Sequence, residues 1–309
     1  LIIMLFIISL ISFIAINLAP NSFFASGELN PNITPEAIEE LKAIYGLDKP
    51  LYIQFFSWIY SILQLDFGIS FTSGEKVKEE ILSRIPITLT INIVSMILIF
   101  IISLYFGIKS AMKKNSIFDR FTNQLSLLSF SMPSFYLALV LVLVFSIKFE
   151  LFPIAGLHSV PNDGSLNYYL DFAWHLTLPI FIIVFGGIGS LILYIRALTI
   201  EILKSDYIFF ARARGLDNKK ILRYYILPNL YPPVITLLGL SLPGIIGGSV
   251  ILETIFSIDG MGLLFYQSAL SHDYPVIMGI LIIGAFLTLI GNMFADLILL
   301  KLNPNYNEK

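Results

Sequence analysis

Long runs almost free of polar residues alternate along this chain with short segments that hold nearly all of its charge. Leu1 to Ala19 is apolar except for Ser9, Ser12 and Asn17. Ile87 to Ile108 carries no charge, and Pro86 before it suits a first helical position. Leu125 to Ile147 contains Pro133. Leu176 to Ile195 contains Pro179 and the glycines 186, 187 and 189. Leu237 to Leu252 contains Pro243 and several glycines, and Val276 to Leu300 carries one acid, Asp296, near its end. Each run is near the roughly 20 residues that cross a bilayer, so the pattern predicts six membrane-spanning helices. The first run exceeds the roughly 7–15 residues of a signal-peptide core and lacks a small-x-small cleavage site. It reads as a helix, and since the chain begins at Leu1 its front is expected to be trimmed.

Composition agrees: 57% of the 309 residues are hydrophobic and 13% charged, against about 25% charged in soluble domains. Mean hydropathy is +0.84. Charge then orients the spans. Segment 20–85 holds five basic residues against nine acids, 109–123 four against one, and 148–175 one against three. Segment 196–235 holds seven against three, 253–275 none against three, and the tail from Asp296 two against two. Basic and acidic loops alternate, and the positive-inside rule places both termini and the 196–235 segment in the cytoplasm. The expected organisation is a first helix over 1–19, an extracytoplasmic segment over 20–85, and a core of five spans over 86–309. That core contains a cytoplasmic loop at 199–235.

Within segment 20–85, Pro35 to Ala43 reads as a short helix capped by Thr34 and stopped at Gly46. Leu51 to Leu65 reads as an aromatic, amphipathic helix suited to a membrane interface. In the cytoplasmic loop, Asp206 can cap one short helix and Gly215 can end it in a left-handed turn. Asp217 can cap a second helix, which Pro228 stops. The first carries Phe209, Phe210 and Ala213 beside Arg212 and Arg214. That mixture suits a groove on a partner, or equally a bed of lipid headgroups.

The chain has no cysteine, hence no disulfide framework, thiolate site or cysteine nucleophile. His158, His175 and His272 are scattered and read as surface or interface residues, with no metal site expected. Phosphate-cradling motifs are absent, so the chain is not expected to hydrolyse ATP. A net charge of −2 gives no sign of nucleic acid. Asn92, Ser129, Ser131, Asn292, Asp296 and Glu253 are the polar residues in or near spans, where such groups face a bundle interior or water. Gly244 and Gly248 form a small-xxx-small pair for close helix packing. Pro243 and its glycines could instead break a helix where it lines a cavity. The candidate path residues are Asn92, Ser131, Pro133, Pro243 and Glu253. No acid lies mid-span, which argues against a proton relay.

Ala211, Arg212, Ala213, Gly215 and Leu216, followed by Leu227 and Pro228, resemble the EAA loop of bacterial ABC importer permeases. The acid that names the motif is missing; Phe209 and Phe210 lie near its position, as often in the peptide and nickel branch. The run from Gly46 to Pro50, Gln54, Asp66 to Ser70 and Ser73-Gly74 is similar to the extracytoplasmic segment of the dipeptide, oligopeptide and nickel permeases. Arg84 to Leu89, Ser131 to Phe135, Leu151 to Pro153, Phe256 to Gly262 and Asp273 to Pro275 follow the same family. The family's terminal Asp-Pro-Arg is Asn303-Pro304-Asn305 here. The resemblance implies an all-α, six-helix permease of the type I importer kind in the bacterial inner membrane. It implies a homologous second permease subunit, two ATP-binding subunits that use ATP and Mg, and an extracytoplasmic solute-binding protein. No cofactor is expected on this chain itself. Residues 211–213, 215, 216, 227 and 228 are then the ATPase-coupling residues, and Gly215→Asp is expected to uncouple an inserted protein. Peptide is the expected solute, with nickel or a nickel chelate as the alternative. A gradient-driven secondary transporter, a non-transporting receptor or scaffold, and an exporter are the rival classes.

Overall fold

Once an apolar run enters lipid, its backbone must satisfy its own hydrogen bonds, and a helix does so within one segment. The computed structural model describes residues 2–18, 49–241 and 248–302, and their regular structure is helical apart from one isolated bridge between Ile69 and Lys76. The elements are α1 (Ile2–Leu18), α2 (Leu51–Leu63), α3 (Val77–Met112), α4 (Ile117–Ser131) and α5 (Ser134–Leu141), which continues as a π-helical segment to Lys148. Then come α6 (Leu166–Leu203), α7 (Asp206–Ala213), α8 (Asn218–Ile221) with a π-helical segment Leu222–Ile226, and α9 (Leu227–Ser241). Last are α10 (Val250–Ile255), α11 (Met261–Leu270) and α12 (Tyr274–Leu302).

Among the described residues three helices are long and apolar enough to cross a membrane: α3, α6 and, over Tyr274–Ile298, α12. The run expected to be one span from Leu125 to Ile147 is α4 and α5, bent by 99°. Met132 is extended (φ −85°, ψ 122°), as a residue before proline prefers, and Pro133 has no N–H to continue the helix. Pro86 lies well inside α3 rather than at its start. The preceding turns are held by Val77 and Ile81, fully buried against Met261, Leu264 and Val276. The run Leu237–Leu252 is likewise not one helix. α9 ends at Ser241, α10 begins at Val250, and Gly248 between them is left-handed (φ +63°). Gly248 therefore does not act as a helix-packing glycine; Pro243 and Gly244 lie outside the described residues, as does the helix expected over 35–43.

The chain divides into two compact units. The first takes residues 1–88, 246–250 and 259–289. There Phe13 of α1 meets Phe55 of α2 edge-on at 5.3 Å. Asp273, 1% exposed, accepts hydrogen bonds from Ser70 Oγ (2.6 Å), Phe71 N (3.1 Å) and Thr72 N (3.0 Å). Arg84 pairs with Asp259 at 2.8 Å, and Met261 N donates to Thr88 Oγ1 at 2.9 Å. The sequence stretches 66–74 and 84–89 are thus tied to 259–261 and 273.

The second unit takes residues 89–245, 251–258 and 290–309. α4 lies against α6, with the Ser129 hydroxyl donating to the Phe185 carbonyl. Gly189 makes the close approach: a Cβ there would stand 2.5 Å from the Ser126 carbonyl. The segment 149–165 is fastened to the same unit through Gly156 N, which donates to Phe256 O at 2.8 Å.

Candidate functional site

α7 has two unlike faces because its residues cannot all reach one core. Ile208 (0% exposed) and Ala211 (2%) point inward, Ile208 into a cluster with Ile195 of α6, Ile221 of α8, Ile226 and Leu230. Tyr207 stacks on Tyr225 of the π-helical segment, centroids 6.2 Å apart. Outward stand Phe209 (68% exposed) and Phe210 (61%), with Arg212, Ala213 and Arg214 exposed beside them. Two large apolar rings on a surface helix, flanked by cations, are a docking pattern.

The ends of α7 are set by short-range chemistry. Ser205, not Asp206, holds the N-cap position (φ −72°, ψ 152°). Asp206 is the first helical residue, where its charge complements the helix dipole. At the other end Gly215 is left-handed (φ +76°), Gly215 N bonds to Arg212 O (2.9 Å) and Leu216 N to Ala211 O (3.2 Å). That pair is a Schellman cap, and it satisfies two carbonyls the helix leaves open. Leu216 packs on the core cluster. Asp217 caps α8, accepting from Lys220 N at 2.9 Å.

The chain does not stop at Pro228. Leu227 N bonds back to Leu222 O, five residues earlier. The widened turn carries the helix past a residue with no donor, and α9 then continues through Pro232 and Pro233. Of the expected coupling residues, Ala211 is buried and Leu216 and Leu227 pack on the core, while Arg212, Ala213, Gly215 and Pro228 are exposed. The motif therefore mixes residues that seat the loop with residues that face outward.

One group was missed from sequence. Asp119 of α4, 2% exposed, receives Arg196 of α6 through both carboxylate oxygens (Nε–Oδ1 2.7 Å, Nη2–Oδ2 2.9 Å). Ser110 Oγ, Asn115 N (2.8 Å) and Asn123 Nδ2 (3.1 Å) also donate to it. The cluster binds the end of α3, the start of α4 and the last turns of α6, immediately before α7. The sequence signal was an arginine closing an apolar run, with a single acid inside a basic loop.

Among the described residues the path candidates do not form one constellation. Asn92 lines a cavity of about 580 Å³ walled by α3, α6 and α9. Ser131 and Pro133 are exposed at the α4–α5 bend and are not on that wall; Glu253 is buried on α10. The histidines are less scattered than expected. His175 is buried in α6, accepts or donates at Ser159 Oγ (3.1 Å), and shares Asp171 with His158, at 3.5 and 3.7 Å. Among the described residues no group of three or more His, Cys, Asp or Glu is placed to hold a metal ion.

Comparison with known proteins matches residues 103–308 to the binding-protein-dependent transport system inner membrane component, and residues 1–92 to the N-terminal part of such membrane components. The oligopeptide transport system permease protein AppB of Bacillus subtilis is 35% identical over 96% of this chain and 93% of its own length. The dipeptide transport system permease protein DppB of Lactococcus lactis is 32% identical over 97% and 94%. The metal-staphylopine import system permease protein CntB of Staphylococcus aureus is 32% identical over 90% and 85%. An inward-facing structure of the MetNI methionine ABC transporter shares the fold, with TM-score 0.57 and 17% identity over 72% of this chain and 96% of that one. The chain therefore belongs to the binding-protein-dependent inner membrane components, the permease subunits of ABC importers.

Proposed function

We propose that this chain is one half of the translocation pathway of an ATP-driven peptide importer, and that α7 is its coupling helix. The observation that carries the reading is α7 itself: Phe209, Phe210 and Arg212 face outward while Ile208 and a Schellman cap fix the helix to the core. The oligopeptide and dipeptide relatives support peptide as the solute. In this reading six spans cross the inner membrane, both termini are cytoplasmic, and the 199–235 loop meets the ATP-binding subunits. A second, homologous permease chain completes the path, two ATPase subunits use ATP and Mg, and an extracytoplasmic solute-binding protein delivers the solute. ATP hydrolysis lies wholly with the partner subunits.

Mechanistically, closure of the ATPase pair moves α7 as a rigid lever. Its inward residues pass the motion to α6, and the Asp119–Arg196 cluster passes it to α3 and α4. Such a shift is driven only by what the partner binds differently in the two states. The test is reconstitution of the assembled importer with Gly215→Asp. A Cβ at Gly215 meets nothing within 4 Å, so the variant inserts, but the left-handed cap costs about 1–2 kcal/mol for a side chain. Peptide-stimulated ATP hydrolysis should fall while insertion persists. Unchanged stimulation rejects α7 as the coupling element.

The metal-staphylopine relative supports a second reading, in which the cargo is a chelated metal. A chelate needs no protein ligand. Offering dipeptides, longer peptides and nickel chelates to the partner solute-binding protein separates the two.

A further inference from the structure

We infer that the cavity walled by α3, α6 and α9 is a subsite for the backbone of the passing peptide, read through uncharged hydrogen-bonding groups. The inference rests on the peptide-importer reading and specifies which part of the solute this chain touches. The cavity measures about 580 Å³, within the range of about 300–1,000 Å³ typical of small-ligand sites. Its polar groups are Asn92 and Ser95 from α3, Ser190 and Tyr194 from α6, and Ser241 from α9. On α3 and α6 the lining positions recur at helical spacing, so each helix offers one continuous face.

Ser95 is the decisive residue. It is 1% exposed, and its hydroxyl has no hydrogen-bond partner. A helical serine or threonine commonly turns back to the carbonyl four residues earlier. Ser126, Thr199 and Ser241 do so in this chain, at 2.8, 2.7 and 2.8 Å. Ser95 does not, and a buried hydroxyl left unpaired is destabilising unless a ligand completes it. At Gly187 the two helices come close: a Cβ there would stand 2.5 Å from Ile99 Cδ1.

The lining carries no Lys, Arg, Asp or Glu. Peptides differ in side-chain charge but share alternating N–H and C=O groups. Hydroxyl and amide partners on an apolar wall bind the shared part, and a charged wall would sort the variable part. This subsite is therefore tolerant of peptide sequence.

The absence of cysteine from the chain allows a single reporter. Ser190, exposed on the wall, becomes Ser190→Cys in the assembled importer with its solute-binding protein, in nanodiscs. A charged methanethiosulfonate, which forms a mixed disulfide with the thiolate and releases methanesulfinate, measures its rate of modification with tri-alanine, tri-lysine or tri-glutamate present. At a peptide concentration about four times Kd, modification slows about fivefold, alike for all three peptides. Adding Ser95→Val leaves the peptide-free rate unchanged and cuts the protection at least in half. Protection by one charge class alone, protection indifferent to Ser95→Val, or a rate that follows phospholipid chain length but not peptide would each overturn the subsite. Uptake by the same sample separates the two levels: importing peptide without protection rejects only the subsite, and importing none rejects the peptide reading.

Discussion

Asp273 and Ser70 lie 203 positions apart, yet the serine hydroxyl donates to the buried carboxylate at 2.6 Å. Two more donors, the amides of Phe71 and Thr72, converge on the same group. The carboxylate thereby organises a loop that has little regular structure of its own and anchors it at the start of α12. Asp273→Ala would take the acceptor from three donors, of which Ser70 is buried, Phe71 half-buried and Thr72 exposed. The cost of about 1–3 kcal/mol for a buried donor left unpaired therefore falls on Ser70, while water can replace the partner of Thr72. The expected outcome is a destabilisation of about 1–3 kcal/mol within this unit, with faster proteolysis between Leu65 and Val77. Ser70→Ala should cost about 1 kcal/mol, because the two amides remain paired. Equal protease resistance for Asp273→Ala and the native chain would show that the loop is held elsewhere.

Arg196 and Asp119 make the corresponding prediction in the other unit. Removing one member of a buried ion pair leaves the other charge unpaired, at a cost of about 3–5 kcal/mol. Arg196→Leu is therefore expected to be less thermostable than the double variant Arg196→Leu with Asp119→Leu, which strands no charge. Thermal unfolding of the purified protein in detergent gives the order. A double variant no better than Arg196→Leu would mean that the remaining donors, Ser110, Asn115 and Asn123, set the stability of the cluster.

The sequence made some of this legible and hid the rest for reasons of range. Caps obey rules spanning three or four residues, so Gly215 and Asp217 could be placed without the fold. Asp206 was misplaced by one position because Ser205, an equally good cap, stands next to it. Prolines were the harder residues. Pro133 breaks its run by 99°, whereas Pro86 and Pro228 are absorbed, one by packing around Val77 and Ile81 and the other by a widened turn. Local pattern gives all three the same weight. The caps mark out one short helix at 206–213, but whether Ala211 faces in and Phe209 out depends on the cluster around Ile208, to which α3, α6, α8, the π-helical segment and α9 all contribute. The pairs 119–196 and 70–273 depend on topology that no local pattern encodes.

Two neighbouring glycines in α6 should behave oppositely. A Cβ at Gly189 would meet the Ser126 carbonyl at 2.5 Å and Phe130 N at 3.0 Å, both backbone atoms that cannot rotate aside. Gly189→Ala must push α4 from α6, at about 1–3 kcal/mol. A Cβ at Gly186 meets nothing within 4 Å. Gly186→Ala should be neutral or stabilising by up to about 1 kcal/mol, since alanine loses less freedom on entering a helix. Melting temperatures of the two variants, measured side by side, check the crossing directly.

The two faces of α7 predict separable defects. Phe210→Ser removes an exposed ring, so the isolated chain should melt as the native one does, because nothing buried is lost. If that ring enters a pocket on an ATP-binding subunit, its loss forfeits about 1.5–3 kcal/mol of apolar burial, which weakens association by roughly 10- to 150-fold. Ile208→Ser does the reverse: it places a hydroxyl in the cluster with Ile195, Ile221, Ile226 and Leu230 and should loosen the loop itself, at about 2–5 kcal/mol. Titrating purified ATP-binding subunit against each variant, alongside a melting curve, distinguishes them. Phe210→Ser should lose affinity at constant stability, and Ile208→Ser should lose both. A Phe210→Ser chain that binds as tightly as the native one would place the contact elsewhere and leave the exposed rings to lipid.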